Sequence, residues 1–240
     1  MAREVNGVLT IALIYPELLG TYGDGGNALV LAERARRRGI DADVLRVGSD
    51  DEMPDASLYL LGGGEDGPQR LGADLLRQSS LASRVNDGGF IFAVCAGLQL
   101  LGTTFAVEGD DEYEGLGLVS AITRRGPTRS VGDLVVTTGA SVLIGFENHG
   151  GRTTLGEGVA PFGKVEVGRG NDGVVDGFRT ESIWATYAHG PVLAINPWLA
   201  DEILTRVLDQ ELAPLASVAD ELYAERRATL HHSAASGRRP

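Results

Sequence analysis

Hydrophobic positions in this chain cluster into short dense runs separated by Gly, Asp and Asn. Val8–Tyr15 (VLTIALIY) and Gly89–Val94 (GFIFAV) are almost wholly apolar. Runs this short, without polar alternation, read as strands buried on both faces of a parallel sheet. Ile40–Val47 and Leu58–Leu61 supply two more. Between the first two strands, Ala28–Arg38 reads as a helix, with Asp24 or Asn27 capping its start. It stops at Gly39, where a left-handed residue is favoured. Pro68–Val85 reads as a further helix with Leu71, Leu75, Leu76 and Leu81 along one stripe. Strands alternating with helices over short connections predict an α/β fold with a doubly wound, mostly parallel sheet.

Beyond Gly102 the pattern changes. Leu116–Ile122, Val131–Thr138, Val142–Phe146, Phe162–Val167, Val174–Phe178 and Ser182–Tyr187 read as strands, with Gly and Asp at the turns. No long helical pattern interrupts them, so an added antiparallel, hairpin-rich region packed on the same core is expected. Pro197–Leu208 reads as a helix with Asn196 as N-cap and Pro197 at its first position. Ser217–Leu230 reads as another, and 233–240 as a mobile tail. The expected division is one domain over 1–212, followed by a C-terminal helix and tail over 213–240.

Composition narrows the function classes. Of 240 residues 43% are hydrophobic, enough for a sizeable core, and the formal net charge is -12. That balance argues against a nucleic-acid partner. No apolar run approaches the roughly 18 residues of a membrane span, and no signal peptide is recognised. A cytoplasmic protein is expected. Neither GxGxxG nor GxxxxGK[ST] occurs, so a nucleotide site is unsupported. The single cysteine excludes an internal disulfide and a Cys-rich metal site, and no metal is expected.

That cysteine is the centre of the chemistry. In Phe92-Ala93-Val94-Cys95-Ala96-Gly97-Leu98-Gln99 a buried strand ends abruptly and a helix begins. A reactive side chain on a strand-to-helix turn with small neighbours is the nucleophile-elbow arrangement, and a helix N-terminus favours the thiolate. The plain alternative is a buried cysteine acting as a small hydrophobe. Gly62-Gly63-Gly64 follows another strand and falls at the same sheet edge. Glycines there suggest close backbone approach to a ligand, and N–H groups of Gly63 or Gly64 with that of Ala96 are candidate oxyanion-hole donors.

A nucleophilic cysteine needs a base, and there are four histidines. His231 and His232 read as surface residues near the C-terminus. His149 falls in the turn-rich stretch Glu147-Asn148-His149-Gly150-Gly151-Arg152, and is expected to shape a loop. His189 ends a strand in Tyr187-Ala188-His189-Gly190-Pro191, the better-fixed position, and is the favoured base.

Cys-x-Gly-x-Gln after a buried strand, a preceding Gly-rich loop and a strand-borne His far downstream resemble the class I glutamine amidotransferases. Thr186-Tyr187-Ala188-His189-Gly190-Pro191 is similar to their cobyric acid synthase-like branch. More narrowly, Thr21-Tyr22-Gly23-Asp24-x-Gly26-Asn27, Gly62–Asp66 and Phe146–Thr153 resemble the GatD-type glutaminase subunits of lipid II isoglutaminyl synthase. The resemblance covers about residues 10–210 and implies a flavodoxin-like fold. It implies that Cys95 attacks the amide carbon of glutamine, that His189 relays protons, and that Gln99 helps hold the substrate. Arg129 stands near the family's arginine for the glutamine carboxylate, a task suited to a guanidinium fork; Arg124, Arg125 and Arg152 are alternatives. By the same resemblance the partner is a Mur-ligase-like synthetase carrying ATP and magnesium, in a heterodimer that amidates D-glutamate of lipid II, and this chain itself holds no cofactor.

Two departures stand out. Ala93 replaces the first elbow glycine, a small change. Pro191 stands two residues after the histidine, where the family usually has a glutamate that orients the imidazole. Another carboxylate, one from the partner, or a Cys–His dyad are the open possibilities. With no local anchor for His189 and a glycine loop of flexible composition, the isolated chain is expected to be a poor glutaminase that its partner switches on. Another amidotransferase of the same class, or a non-catalytic subunit keeping the fold, are the alternative functions.

Overall fold

A computed structural model of the chain describes residues 7–106 and 112–235, with side chains as far as Thr229. The apolar runs form one six-stranded sheet. Strands β1 (Leu9–Ile14), β2 (Ala42–Val47), β3 (Leu58–Leu61) and β4 (Phe90–Val94) pair in parallel in the order β4-β3-β1-β2. Every residue of β1, β3 and β4 is buried, as uninterrupted apolar strands require when both faces are covered. Helix α1 (Gly26–Arg36) links β1 to β2; α2 (Asp66–Gln78) and α3 (Leu81–Asn86) link β3 to β4. The two connections step in opposite directions across the sheet, so right-handed crossovers place their helices on opposite faces. The expected single helix over Pro68–Val85 is broken at Ser79, which is extended (φ -83°, ψ 171°) and whose hydroxyl accepts the Leu81 N–H.

After β4 comes helix α4 (Ala96–Leu101), and the chain then leaves for a second sheet. This sheet holds β5 (Thr104–Ala106), β6 (Glu112–Glu114), β7 (Ala121–Thr138), β8 (Ser141–Leu155), β9 (Gly163–Val167) and β10 (Val175–Asp176). It is the expected hairpin-rich region, antiparallel in every pairing except β5 with β7. Apart from β7, which joins two expected strands through 123–130, three strand boundaries differ from expectation. Leu116–Val119 is not strand; the Leu116, Gly117 and Val119 N–H groups donate to Leu100, Gly102 and Leu101 carbonyls and so close the end of α4. Val174–Phe178 is divided at Gly177 (φ 55°), a corner where a Cβ would lie 1.8 Å from the Ala185 carbonyl oxygen. The third difference is Glu147–Arg152, which lies within β8 rather than in a loop. Its glycines mark close approach instead of a turn: a Cβ at Gly151 would meet Gln99 Nε2 at 2.5 Å.

Past the Gly177 corner, β11 (Phe178–Arg179) and β12 (Ile183–Thr186) rejoin the first sheet, β12 lying parallel beside β4. Helices α5 (Val192–Ile195) and α6 (Pro197–Leu208) then pack against α1. Asn196 precedes Pro197 but makes no capping bond; its side chain pairs with both backbone groups of Ile144. Helix α7 (Val218–Ala235) runs further than expected, through the start of the anticipated tail. It holds His231 and His232, whose side chains lie outside the described residues, as does 236–240. Two bonds between Phe146 of β8 and His189 tie the second sheet to the first at the end of β12.

Candidate active site

The carboxyl ends of β1, β3, β4 and β12 share one edge of the first sheet, and the loops that leave them meet there. In an open α/β sheet this is the crevice where ligands bind. Cys95 leaves β4 with φ 51° and ψ -106°, a conformation that L-residues seldom adopt. Its N–H donates to the Thr186 carbonyl of the neighbouring strand, and its carbonyl accepts the Gln99 N–H. The sharp turn brings α4 hard against β3: a Cβ at Gly97 would lie 2.7 Å from the Leu61 carbonyl oxygen, and the Gly97 N–H donates to Gly62. Small residues at the elbow therefore follow from packing.

His189 follows β12 and is fully buried. Its ring lies between Tyr22 and Phe146, with centroid separations of 4.6 and 5.4 Å. Nδ1 is 3.0 Å from Asp24 Oδ2 and 3.3 Å from Oδ1. Nε2 is buried and unbonded. The Cys95 side chain lies within interacting range of the ring. Burial disfavours the charged imidazole, but the Asp24 hydrogen bond, the Cys95 side chain and the charges of both outweigh it and push the ring up to about 10.

Asp24 is the residue that sequence reasoning placed elsewhere. It makes no cap for α1; nor does Asn27, whose side chain accepts the Leu193 N–H. Asp24 instead turns inward from the loop after β1, accepts the Gly63 N–H at 2.9 Å and holds His189. Pro191, at the position where the resemblance implies a carboxylate, packs on α1: a Cβ at Gly26 would sit 2.5 Å from Pro191 Cγ. The proline thus braces the helix start that follows Asp24.

The triple glycine is pinned by protein. Cβ atoms at Gly62 and Gly64 would meet the Leu19 and Leu18 carbonyl oxygens at 2.2 and 2.6 Å, and one at Gly63 would meet His189 Cε1 at 2.6 Å. The expected reason, close approach to a ligand, gives way to close approach of the β1 loop and of His189. Because Asp24 already takes the Gly63 N–H, the candidate oxyanion donors at the elbow reduce to Gly64 and Ala96, which both line the cavity beside Cys95.

That cavity has a volume of about 150 Å³ and is walled by Cys95, Gln99, Arg125, Arg129 and Asn148 among others. Arg129 hangs from the irregularity in β7 between Arg125 and Ser130. Its guanidinium donates to the Asn148 side chain and carbonyl and to the Tyr22 hydroxyl. Of the alternatives, Arg125 also lines the cavity. Arg124 pairs with Glu112, and Arg152 turns back onto the Gly151 and Thr128 carbonyls. Gln99 is held at both ends, donating to Tyr187 and accepting from Gln69.

Residues 10–197 match the CobB/CobQ-like glutamine amidotransferase domain. The chain belongs to this family. It is 32% identical over 85% of its length to the lipid II isoglutaminyl synthase (glutamine-hydrolyzing) subunit GatD of Streptococcus pneumoniae, covering 82% of that protein. It is 30% identical over 86% of its length to GatD of Staphylococcus aureus, covering 87% of it. The cobyric acid synthase of Sphingopyxis alaskensis is 32% identical over only 50% of this chain and 25% of that enzyme. The fold agrees: a glutamine amidotransferase crystal structure superposes with a TM-score of 0.57 at 21% identity, over 83% of this chain and 98% of the other.

Within this amidotransferase domain, the structure brings Cys95, Gln99, Arg129, Gly64 and Ala96 to one cavity and sets His189 beside Cys95. The missed member, Asp24, had one usable signal. It follows the first strand, at the sheet edge where Cys95, the glycine loop and His189 were already expected.

Proposed function

We propose that this chain is the glutamine-hydrolysing subunit of a lipid II isoglutaminyl synthase. The observation that carries the chemistry is the buried relay of Asp24, His189 and the elbow Cys95 at the head of a polar cavity. The support for the narrower assignment is the likeness to GatD over more than four-fifths of both chains, against half of this chain for cobyric acid synthase.

In this reading the Cys95 thiolate attacks the side-chain amide carbon of glutamine, and its oxygen takes the negative charge. The N–H groups of Gly64 and Ala96 are the donors for that oxyanion. His189, charged and fixed by Asp24, gives its proton to the leaving nitrogen as the C–N bond breaks, releasing ammonia and a γ-glutamyl thioester. Neutral His189 then takes a proton from water, which attacks the thioester carbon; the C–S bond breaks and glutamate leaves. Arg129 receives the α-carboxylate, and Gln99 holds the substrate's side chain. Ammonia passes to a Mur-ligase-like partner that uses ATP and magnesium to activate the D-glutamate carboxyl of lipid II, giving D-isoglutamine.

The deciding experiment measures glutamine-dependent amidation of lipid II by the chain together with such a synthetase, with Cys95→Ala as control. Amidation that needs both subunits and Cys95 supports the assignment. Ammonia release from glutamine without lipid II amidation would leave a glutaminase for a different acceptor. A glutamine analogue that labels the chain away from Cys95 would remove the nucleophile.

A further inference from the structure

Glu147 and His149 lie on β8, both buried, and the mechanism above leaves them without a task. Three groups converge on the Glu147 carboxylate: the Arg169 N–H at 2.7 Å, the Gly170 N–H at 2.9 Å and His149 Nε2 at 3.0 Å. Burial alone would raise this carboxyl, but those bonds and the His149 charge hold it below its ordinary range. On the other side of the ring, His149 Nδ1 lies 3.1 Å from the Gly151 carbonyl oxygen. Both ring nitrogens thus face acceptors. A neutral imidazole has one donor and one lone pair, so it would set the lone pair against an oxygen; the doubly protonated ring satisfies both sides.

The ring does not stand alone. It stacks on Tyr187 at 3.8 Å between centroids, with 21° between planes. The Tyr187 hydroxyl bonds Thr153 at 2.7 Å and receives Gln99 Nε2 at 3.2 Å. Gln99 lies on the cavity wall with Cys95. The charged groups around the pair are Arg152 on the same strand, Arg169 beyond β9 and Asp176 on β10. Arg152 shares the Gly151 carbonyl with His149, and its charge also acts on Glu147.

We propose that His149 and Glu147 form a buried ion pair that positions the glutamine pocket: the imidazolium fixes Tyr187, and Tyr187 fixes Gln99. His149 is a positioning residue in this scheme, acting on substrate binding rather than on the Cys95–His189 chemistry. The inference rests on the glutaminase reading, so its test has one arm that does not need turnover.

That arm is nitrogen-15 NMR of the full chain with labelled histidine. At pH 7 both ring nitrogens of His149 should show the shifts of protonated nitrogen, and Glu147→Gln should abolish that signature. A neutral ring in the unaltered chain would overturn the ion pair. The second arm is steady-state glutamine hydrolysis by Glu147→Gln and by His149→Phe, which keeps an aromatic ring against Tyr187. The KM for glutamine should rise about tenfold with kcat within about threefold, and alkylation of Cys95 by iodoacetamide should keep its rate. An unmoved KM would overturn the proposal, as would a parallel fall in kcat and alkylation, which marks a purely structural role. Should His149→Phe not fold, Tyr187→Phe interrupts the same chain at the hydroxyl and is read by the same split. Failure of the unaltered chain to hydrolyse glutamine with its partner present would refute the proposed function, while the NMR arm would still decide the pair.

Discussion

Asp24 and His189 lie 165 residues apart in sequence and 3.0 Å apart in space, both essentially excluded from water. A carboxylate at this distance from Nδ1 fixes the ring's orientation and leaves Nε2 for the thiol, the division of labour seen in triad hydrolases. Asp24→Asn keeps the shape and the bond to the Gly63 N–H but removes the charge. It should lower kcat about 100-fold or more, the range for loss of acid–base function, with little change in KM. A kcat within fivefold of the unaltered chain would show that the carboxylate is not needed.

The same relationship reverses the expected dependence on a partner. A poor isolated enzyme follows only from an unanchored His189 and a loose Gly62–Gly64 loop. Asp24 anchors the histidine from within the chain. The loop is tied by the Thr21, Gly63 and Gly97 N–H groups to Gly63, Asp24 and Gly62. The isolated chain should therefore hydrolyse glutamine at a rate within about tenfold of the rate with the proposed synthetase partner. Steady-state ammonia release with and without the partner checks this; a hundredfold activation would restore the idea that the partner completes the site.

The histidine also carries a pH signature. Its folded-state value is raised to about 10 from an ordinary value near 6.5. A raised cation stabilises the fold fully below the unfolded-state value and loses that contribution as pH rises through the folded one. The difference in Tm between the unaltered chain and His189→Gln should thus shrink from pH 6.5 to pH 10. Asp24→Asn should flatten the trend, since its charge is one source of the shift. A difference that grows toward alkaline pH would contradict the assigned ion pair.

Arg129 makes three hydrogen bonds within the protein at the cavity rim, to Asn148 and Tyr22. A substrate carboxylate there would compete with neutral partners, and a charge-assisted, bidentate bond wins such a competition. Arg129→Ala should raise the glutamine KM about tenfold or more and lower kcat by less, because in the proposed function it would contact the end of the substrate that does not react. An unchanged KM would transfer the role to Arg125, the other arginine on the cavity wall.

Much of this was legible in the sequence because the parallel sheet writes itself in unbroken apolar runs: Leu58–Leu61 and Pro197–Leu208 fall where their patterns end. Cys95 and His189 were legible for a related reason, each standing where a buried strand stops. The stretch Glu147–Arg152 misled because glycine has two uses. Its Gly, Asn and His read as a turn, whereas Gly151 makes room for Gln99 inside a strand. Asp24 was hidden by a competing local explanation. An aspartate just before a helix is commonly a cap, and only the tertiary approach of His189 shows that this one is not.

The glycine loop allows the roles of packing and chemistry to be separated by single methyl groups. None of the three glycines has the positive φ that would strain an alanine by itself, so the neighbours decide the outcome. At Gly62 the new Cβ would lie 2.2 Å from a backbone oxygen of Leu19, which cannot yield without moving the β1 loop. Gly62→Ala should therefore destabilise the fold, by about 1–3 kcal/mol or more as for other overpacked sites. At Gly63 the first atom met is His189 Cε1 at 2.6 Å, with Asp24 Oδ2 next at 3.2 Å. Displacing the ring by even a few tenths of an ångström misaligns Nε2 with the thiol, and catalytic geometry is far less tolerant than packing. Gly63→Ala should lose about 100-fold in kcat while its Tm falls less than that of Gly62→Ala. Gly67, on α2 with open space around it, is the control: alanine there should leave kcat unchanged and stabilise the helix by up to about 1 kcal/mol. Thermal melts and steady-state rates on the three variants test the ordering. Equal losses of Tm at positions 62 and 63, with kcat at 63 preserved, would mean that His189 has more freedom than its packing allows and that the glycine serves the loop alone.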